Sequence, residues 1–470
     1  MIRRLTPIAL ALALTGCAIG PDYVRPAAPL PASYGEATPN QNAAVDARWW
    51  ALFNDATLNE LVEQALANNA NLRLAVARVE QADAVAREAG ATYLPQIDGN
   101  AGLSNTEAST RTATYNSAMP RMRHARSIGL STAFELDVWG RLRRANESAR
   151  ASLLASQYGR DAVRLSVASL VTNSYLALRA YDAQLALSTQ TLRSREASLQ
   201  LVKRRVDAGL VSPVEVHQAE GLLAAAQAQL AEQRRLRALS EHQLALLTAN
   251  PELKLAAGDL RQLPLPPQPP AGLPADLIEA RPDVRQAEAE LIASNAAIGV
   301  AKAGYYPKFA LTGNLGSESK TLGDLFTAGS NTWSLGLSAL VPILDFGRTS
   351  ARVDQAQAIK QQSLIAWQNT LQTAYKEVRD ALVNLQEDAN AETAQAARVT
   401  AAEQTRRLAA LRYEAGHAGY LEVLDAERTA NDAQLVHIAS RQARLVAAVD
   451  LFKALGGGWQ AGVKTAAVDR

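Results

Sequence analysis

The sequence predicts a mainly α-helical chain that carries four β-strands of membrane-crossing length, with one helix–strand–strand–long helix–helix unit written twice. Three observations lead there. The 470 residues include 93 alanines but only 5% aromatics, a composition suited to closely packed helices and poor in large core anchors. Apolar residues recur at three-four spacing over stretches of about sixty residues, and in four short segments the period changes to two. Residues also recur at one fixed offset: Gly140-Arg141 with Gly347-Arg348, Gly209 with Gly416, and Glu215, Ala219 and Glu220 with Glu422, Ala426 and Glu427.

The chain opens with a basic start (Arg3, Arg4), an apolar run from Leu5 to Leu14 and the string Leu14-Thr15-Gly16-Cys17. Residues 1–16 read as a signal peptide, too short to span a bilayer. The string resembles a bacterial lipobox, which implies cleavage before Cys17 and attachment there of diacylglyceryl and N-acyl chains, the only covalent group expected; a plain signal with a bystander cysteine is the alternative. Ala18, where a retention signal would carry Asp, points by the same resemblance to the outer membrane. Cys17 is the one cysteine, so an intrachain disulfide, a thiolate zinc cluster and a CxxC pair are excluded together. The chain has 48 Lys and Arg against 46 Asp and Glu. Losing the leader removes two arginines and no acid, so the mature chain is formally neutral. No basic patch interleaved with aromatics remains to suggest nucleic acid.

Residues 17–48, from CAIGPDYVRP through a stretch rich in Pro, Ala and Asn, read as a lipid-anchored extended tether, with order expected from Trp49-Trp50 onward. The first repeat is expected over 49–250. It starts with helical patterning from Asp55 to Ala91, broken at Asn68–Asn71 and stopped by Pro95. Strands follow at about 96–104 and 127–139. In them Ile97, Gly99, Ala101, Leu103 and Ile128, Leu130, Thr132, Phe134, Leu136, Val138 alternate with small or polar residues, and Asn105–Arg126 reads as a long exposed loop. A helix then runs from Arg141 to about Val206, roughly 100 Å at 1.5 Å per residue. Its expected seam is Val163, Val167, Leu170, Ser174, Ala177, Tyr181, Leu185, Ser188 and Leu192. Gly209 and Pro213 turn the chain into a helix from Val214 to Thr248, striped by Val216, Ala219, Leu223, Ala226 and Leu230.

Residues 251–281 form a proline-rich linker, and the second repeat is expected over 282–455, with strands at about 308–316 and 333–343. Its long helix starts at Gly347 with the seam Leu364, Trp367, Leu371, Ala374, Val378, Ala381 and Leu385. Gly416 and Gly419 mark the turn, the last helix runs from Leu421 to Leu455, and 456–470 is a tail.

Strands of nine to eleven residues fit a tilted bilayer crossing, yet four cannot close, and open edges in lipid cost about several kcal/mol per unpaired group. If they cross, copies must assemble, and three would give twelve strands with small and polar residues inside. A soluble β-rim beside a helical domain shows the same alternation and stays open on pattern alone.

The strings CAIGPDYVRP, FELDVWGR (134–141), LDFGR (344–348), RYEAGHAGYLEVLDAE (412–427) and ALGGGW (454–459) resemble the TolC-like outer-membrane efflux lipoproteins of the OprM and NodT branch, over essentially the whole mature chain. The resemblance implies a homotrimer with a 12-stranded β-barrel over a 12-helix α-barrel. It sits in the outer membrane, projects into the periplasm, and docks to a periplasmic adaptor and an inner-membrane pump of the RND type. It further implies a closed periplasmic aperture at the helix tips, built by Glu422, Asp425, Tyr413 and Arg412 with Asp207 and Glu215 in the matching turn. Gly209 and Gly416 supply tip turns that face the adaptor. The chain departs from the enterobacterial pattern at Ala418, where an arginine is usual, and at Glu422, which replaces an aspartate.

From the residues themselves, Glu422 and Asp425 lie three apart on one helix face, where acids in a trimer would ring the narrow end and favour cations; a helix dipole alone also favours acids at that end. Trp139, Tyr93, Tyr305, Tyr306 and Trp333 fall at strand ends, as an aromatic girdle or as junction packing. The five histidines (His124, His217, His242, His417, His437) have no metal-ligand or triad spacing, no Walker string is present, and no catalytic or metal site is expected. Two alternatives differ in class or cargo: a lipid-tethered periplasmic coiled-coil scaffold, which needs no spanning strands, and a type I secretion channel.

Overall fold

The computed structural model describes residues 18–28, 30–35, 47–113, 115–269 and 277–458. Cys17 and the tail beyond Gly458 lie outside them. The chain gathers into two compact units. One takes the residues up to Pro26, Val79–Ala155 and Ala287–Ala366; the other takes Ala27–Arg78, Ser156–Gln286 and Trp367 onward. Each unit therefore draws on both halves of the sequence.

Helices α1 (Ala56–Asn68) and α2 (Ala70–Ala91) come first. The Asp55 carboxylate accepts the Leu58 amide at 2.9 Å and starts α1. Asn69 makes the break: its Oδ1 accepts the amides of Asn71 and Leu72, while its Nδ2 donates to the Leu247 carbonyl. After strands β1 (Ile97–Glu107) and β2 (Met122–Leu136) comes α3 (Arg141–Asp207), 67 residues long, and then α4 (Pro213–Thr248). The short α5 (Leu277–Ala280), α6 (Pro282–Lys302), β3 (Lys308–Ser319), β4 (Asn331–Leu340), α7 (Arg348–Glu414, again 67 residues) and α8 (Tyr420–Ala454) complete the order. Both long helices begin alike. Asp137 accepts the amides of Leu142 and Arg143, and Asp345 those of Gly347 and Thr349.

The four strands form one antiparallel sheet in the order β1-β2-β3-β4. Its register aligns the alternation across every strand. Leu130 lies opposite Leu315, which lies opposite Trp333; Phe134 lies opposite Leu311, which lies opposite Leu337. One face thus collects Ile97, Leu103, Ile128, Leu130, Phe134, Leu311, Leu315, Trp333, Leu335 and Leu337, and the other collects Asn100, Ser131, Thr312, Asn314, Ser334 and Ser338. Among the described residues nothing covers the apolar face: Leu103, Leu315, Trp333, Leu335 and Leu337 keep 63% to 78% of their surface exposed.

The strand limits correct the sequence reading. The expected loop at 105–126 is partly ladder, because Asn105, Thr106 and Glu107 pair with His124, Arg123 and Met122. These rungs are polar, held by the His124–Asn105 side-chain bond (2.8 Å) and the Arg121–Glu107 ion pair (3.2 Å), so apolar alternation could not reveal them. Strand β2 ends at Leu136 and not near 139, since Asp137 is taken up in starting α3. Strand β3 runs on to Ser319, and β4 stops at Leu340, before Pro342, which has no amide to give to a ladder.

At the foot of the sheet the Trp139 indole donates to the Pro307 carbonyl (2.8 Å) and its ring lies 4.8 Å from that of Tyr306, tying the end of β2 to the start of β3. Tyr93 and Tyr305 stand at the same end, while Trp333 stands at the opposite, loop-bearing end, 78% exposed.

The expectation that order begins at Trp49-Trp50 is also corrected. Residues 18–26 are extended, as a tether would be, but they are strapped down. The Ile19 amide donates to the Trp139 carbonyl, Asp22 pairs with Arg144, Asn295 donates to the Pro21 carbonyl, and Tyr23 and Arg25 both bond Glu288. The backbones touch. A Cβ on Gly20 would fall 2.6 Å from Gly299 Cα, and one on Gly299 would fall 2.5 Å from the Ile19 carbonyl oxygen.

In the other unit, Trp49, Trp50 and Phe53 pack with Leu58, Leu61 and Val62 against Val171, Tyr175 and Leu178 of α3, Leu244 of α4 and Phe452 of α8. Five large rings, Trp49, Trp50, Phe53, Tyr175 and Phe452, meet here. The α7 seam is as expected, with Trp367, Leu371, Ala374 and Val378 fully buried. That on α3 is not: Leu170 is 48% exposed, and Val167, Ala168, Val171, Tyr175, Leu176 and Leu178 form a broader buried face. Helix α3 is flanked by α1, α4 and α8 at once, so a single stripe cannot describe it.

Candidate functional site

The expected tip residues meet at the ends of α3 and α7 and the starts of α4 and α8. Each long helix closes in the left-handed region at a glycine. Gly209 (φ 68°) bonds the Val206 carbonyl and Leu210 reaches back to Arg205; Gly416 (φ 75°) bonds Tyr413 and His417 reaches back to Arg412. A side chain at either glycine would meet no neighbour, so glycine answers to backbone conformation, not to space. Ser212 then caps α4 through the Val214 amide, with Pro213 in its first turn.

Tyr413 is the centre of the cluster. Only 6% exposed, it donates its hydroxyl to Glu215 at 3.0 Å, lies under the Arg205 guanidinium (4.3 Å to the ring centre) and packs on Tyr420 (5.4 Å). Burial, followed by the Glu215 carboxylate it bonds, pushes the phenol up to about 12. Tyr413 therefore stays a donor throughout the physiological range. Beneath it Leu199, Val202, Ala219, Val423 and Leu424 form a small apolar core, and the Tyr420 hydroxyl bonds Ser198 at 2.8 Å.

Glu422 and Asp425 do share the exposed face of α8, but neither stands alone. Arg412 reaches Glu422 at 3.3 Å, and Arg428 reaches Asp425 at 2.8 Å. Asp207 ends α3 exposed, and among the described residues no hydrogen bond or ion pair brings it into the cluster. The structure thus joins Tyr413 to Glu215 and Arg412 to Glu422, leaves Asp425 with a partner of its own, and leaves Asp207 apart.

Sequence reasoning missed Arg205, Tyr420, Ser198 and Arg428. Arg205 was within reach, because it matches Arg412 at the same offset that pairs the two tip glycines. It also missed a second polar layer farther up the helices, where Arg195 of α3 pairs with Glu427 of α8. There Thr191 bonds Asn431 at 2.9 Å, and Glu403 of α7 holds Arg406 and Gln434. These groups line a cavity of about 90 Å³. Its arginine is 93% hidden, and such a pair is held by geometry and not by charge alone.

Residues 61–250 and 273–457 match the family model described as outer membrane efflux protein. The chain belongs to the outer membrane efflux protein family. Its relatives include the cation efflux system protein CusC of Escherichia coli K12, 33% identical over 97% of this chain and 99% of that protein, and outer membrane protein OprJ of Pseudomonas aeruginosa, 36% identical over 96% and 95%. Among solved structures, the CmeC outer membrane channel of Campylobacter jejuni superposes with a TM-score of 0.89 at 25% identity, covering 95% of this chain and 96% of that one. The open state of the Neisseria gonorrhoeae MtrE channel gives 0.84 at 29% identity, covering 94% and 99%. As an outer membrane efflux protein, this chain is the outer-membrane component of an efflux pump, with the fold of the TolC-like channels.

Proposed function

We propose that three copies of this outer membrane efflux protein close their sheets into a 12-stranded barrel over a 12-helix tube, forming the passive exit duct of a tripartite pump. One observation carries this reading: all four strands put most of their large apolar residues on one face in register, and among the described residues that face is bare and β1 and β4 are unpaired edges. A lone sheet of this kind in lipid would leave backbone groups unsatisfied along both edges, and closure removes the edges. The lipid-tethered scaffold would need no such sheet. Cys17 carries the acyl chains, an adaptor meets the turns at Gly209 and Gly416, and an inner-membrane RND pump supplies the energy. Cargo is chosen upstream: relatives at 32% to 34% identity are named for cations, toluene and solvent, so one wall design serves unlike molecules.

The test is purification in detergent without heating, followed by mass measurement and planar-bilayer recording. A trimer with steady conductance is expected; a monomer released by carbonate alone would sink the duct. Cys17→Ser should abolish acyl labelling, and persistent labelling would refute the lipid assignment.

The tip cluster closes the periplasmic end. Tyr413→Phe removes the donor to Glu215 without changing the ring packing on Arg205 and Tyr420. A hydrogen bond to a carboxylate of this kind is worth about 1.5 kcal/mol, so the closed–open equilibrium should shift towards open by roughly tenfold for each protomer. Glu422→Ala with Asp425→Ala should raise conductance or lower cation preference. Current and selectivity unchanged in both variants would place the constriction elsewhere.

A further inference from the structure

The β1–β2 hairpin outruns its neighbour. The β2–β3 ladder ends at Arg126 opposite Ser319, and β3–β4 ends at Ser317 opposite Asn331, but β1–β2 continues through Ser104–Ala125, Asn105–His124, Thr106–Arg123 and Glu107–Met122. At about 3.4 Å per residue these four rungs lift a two-stranded arm roughly 14 Å beyond the sheet. The arm is cationic. Residues 104–126 contain Arg111, Arg121, Arg123 and Arg126 against the single acid Glu107, while the other hairpin end, residues 317–331, holds Glu318, Asp324 and Lys320. In a chain whose charges otherwise balance, this excess is local to one arm of one hairpin.

Its placement is ordered as well. Alternation carries the apolar face upward from Leu130 to Ile128, and the next residue on that face is Arg126, followed by His124 and the half-exposed Met122. Arg126 is braced: its Nη1 donates to the carbonyls of Ser104 and Ala125, both at 3.0 Å. Arg121 is braced by the Ala108 carbonyl (3.2 Å) and Glu107. Arg123 alternates to the opposite, polar face, and so does Arg121, whose carbonyl still accepts the Ala108 amide in the same register. A guanidinium fixed one step above an apolar band, as that of Arg126 is, stands where a bilayer's headgroups begin, and its fork matches phosphate oxygens two at a time.

We propose that the outward face of this arm, through Arg126, binds the phosphate groups of lipid in the outer leaflet and so sets the height and stability of the barrel in the membrane. This rests on the membrane-spanning reading of the sheet. The occupant is lipid, since Arg126 continues the lipid-facing side and not the lumen; were the arm there to attract exported anions, Arg123 on the polar face would be the residue that mattered.

The experiment compares the full-length trimer with R126Q and with R123Q in two kinds of vesicle, phosphatidylethanolamine alone and the same lipid doped with diphosphorylated lipid A. Insertion is read by conductance, and stability by the temperature at which the trimer dissociates. Lipid A is expected to raise that temperature by roughly 3 °C or more for the wild type and R123Q, and to do nothing for R126Q. Equal responses in all three proteins, or loss in R123Q alone, would overturn the proposal. Failure of the wild type to insert in either vesicle would overturn the spanning sheet itself, an outcome distinct from insertion without lipid preference.

Discussion

Leu335→Arg is expected to prevent stable insertion, while Ser334→Arg, one residue away, is expected to insert and conduct. The two side chains leave opposite faces of β4. Leu335 is 72% exposed in register with Gly313 and Thr132 on the apolar face, whereas Ser334 lies with Asn314 and Ser131 on the polar one. A cation on the lipid side of a barrel costs about 2–4 kcal/mol near the bilayer midplane, and a trimer bears that cost three times. The lumen is wet, so Ser334→Arg changes selectivity without that cost. The measurement is the amount of unheated trimer in outer-membrane fractions, followed by single-channel recording. Equal trimer yields from both variants would mean that the apolar face does not meet lipid.

The second large effect is on folding. Asp182→Ala should destabilise the protein by about 3–5 kcal/mol, the cost of breaking a buried ion pair from one side. The Asp182 side chain has no exposed surface; it accepts from Arg179 (3.0 Å), Arg237 (2.7 Å) and the Gly258 amide (3.0 Å). Its removal leaves two guanidinium groups facing each other. It also releases the segment after α4, which Arg179 and Arg237 hold through the carbonyls of Ala256 and Leu255. Asp182→Asn keeps the acceptor oxygen and should lose less. Thermal unfolding in detergent separates the two variants, and a small, equal loss in both would show that the charge contributes little.

Much of the architecture was legible because each element follows a rule that acts within a few residues. Asn69 ends one helix and starts the next through its own side chain, and the α7 seam from Trp367 to Val378 is a simple stripe because that face has one set of neighbours. The misreadings share a cause. The upper rungs of β1–β2, the burial around Leu170 and the strapping of residues 18–26 all depend on partners far away in the chain. So does the tip site. Tyr413, Arg412, Glu215 and Glu422 could be named from local strings, and Arg205 from the repeat offset, but their pairing and the presence of Ser198 needed four helix ends in one place. Asp207 shows the converse: a tip acid by position that the fold leaves out of the cluster.

The strap over Gly299 also bears on the order of assembly. Pro21 and Asn295 are 274 positions apart, and the bonds of Tyr23 and Arg25 to Glu288 span 265 and 263. Closing so long a loop costs entropy that no local contact offsets, so it follows the formation of α3 and α6 and does not guide it. Residues 18–26 are made before those helices yet come to rest after them, once α6, hundreds of residues later in the chain, has built the groove that Gly20 enters.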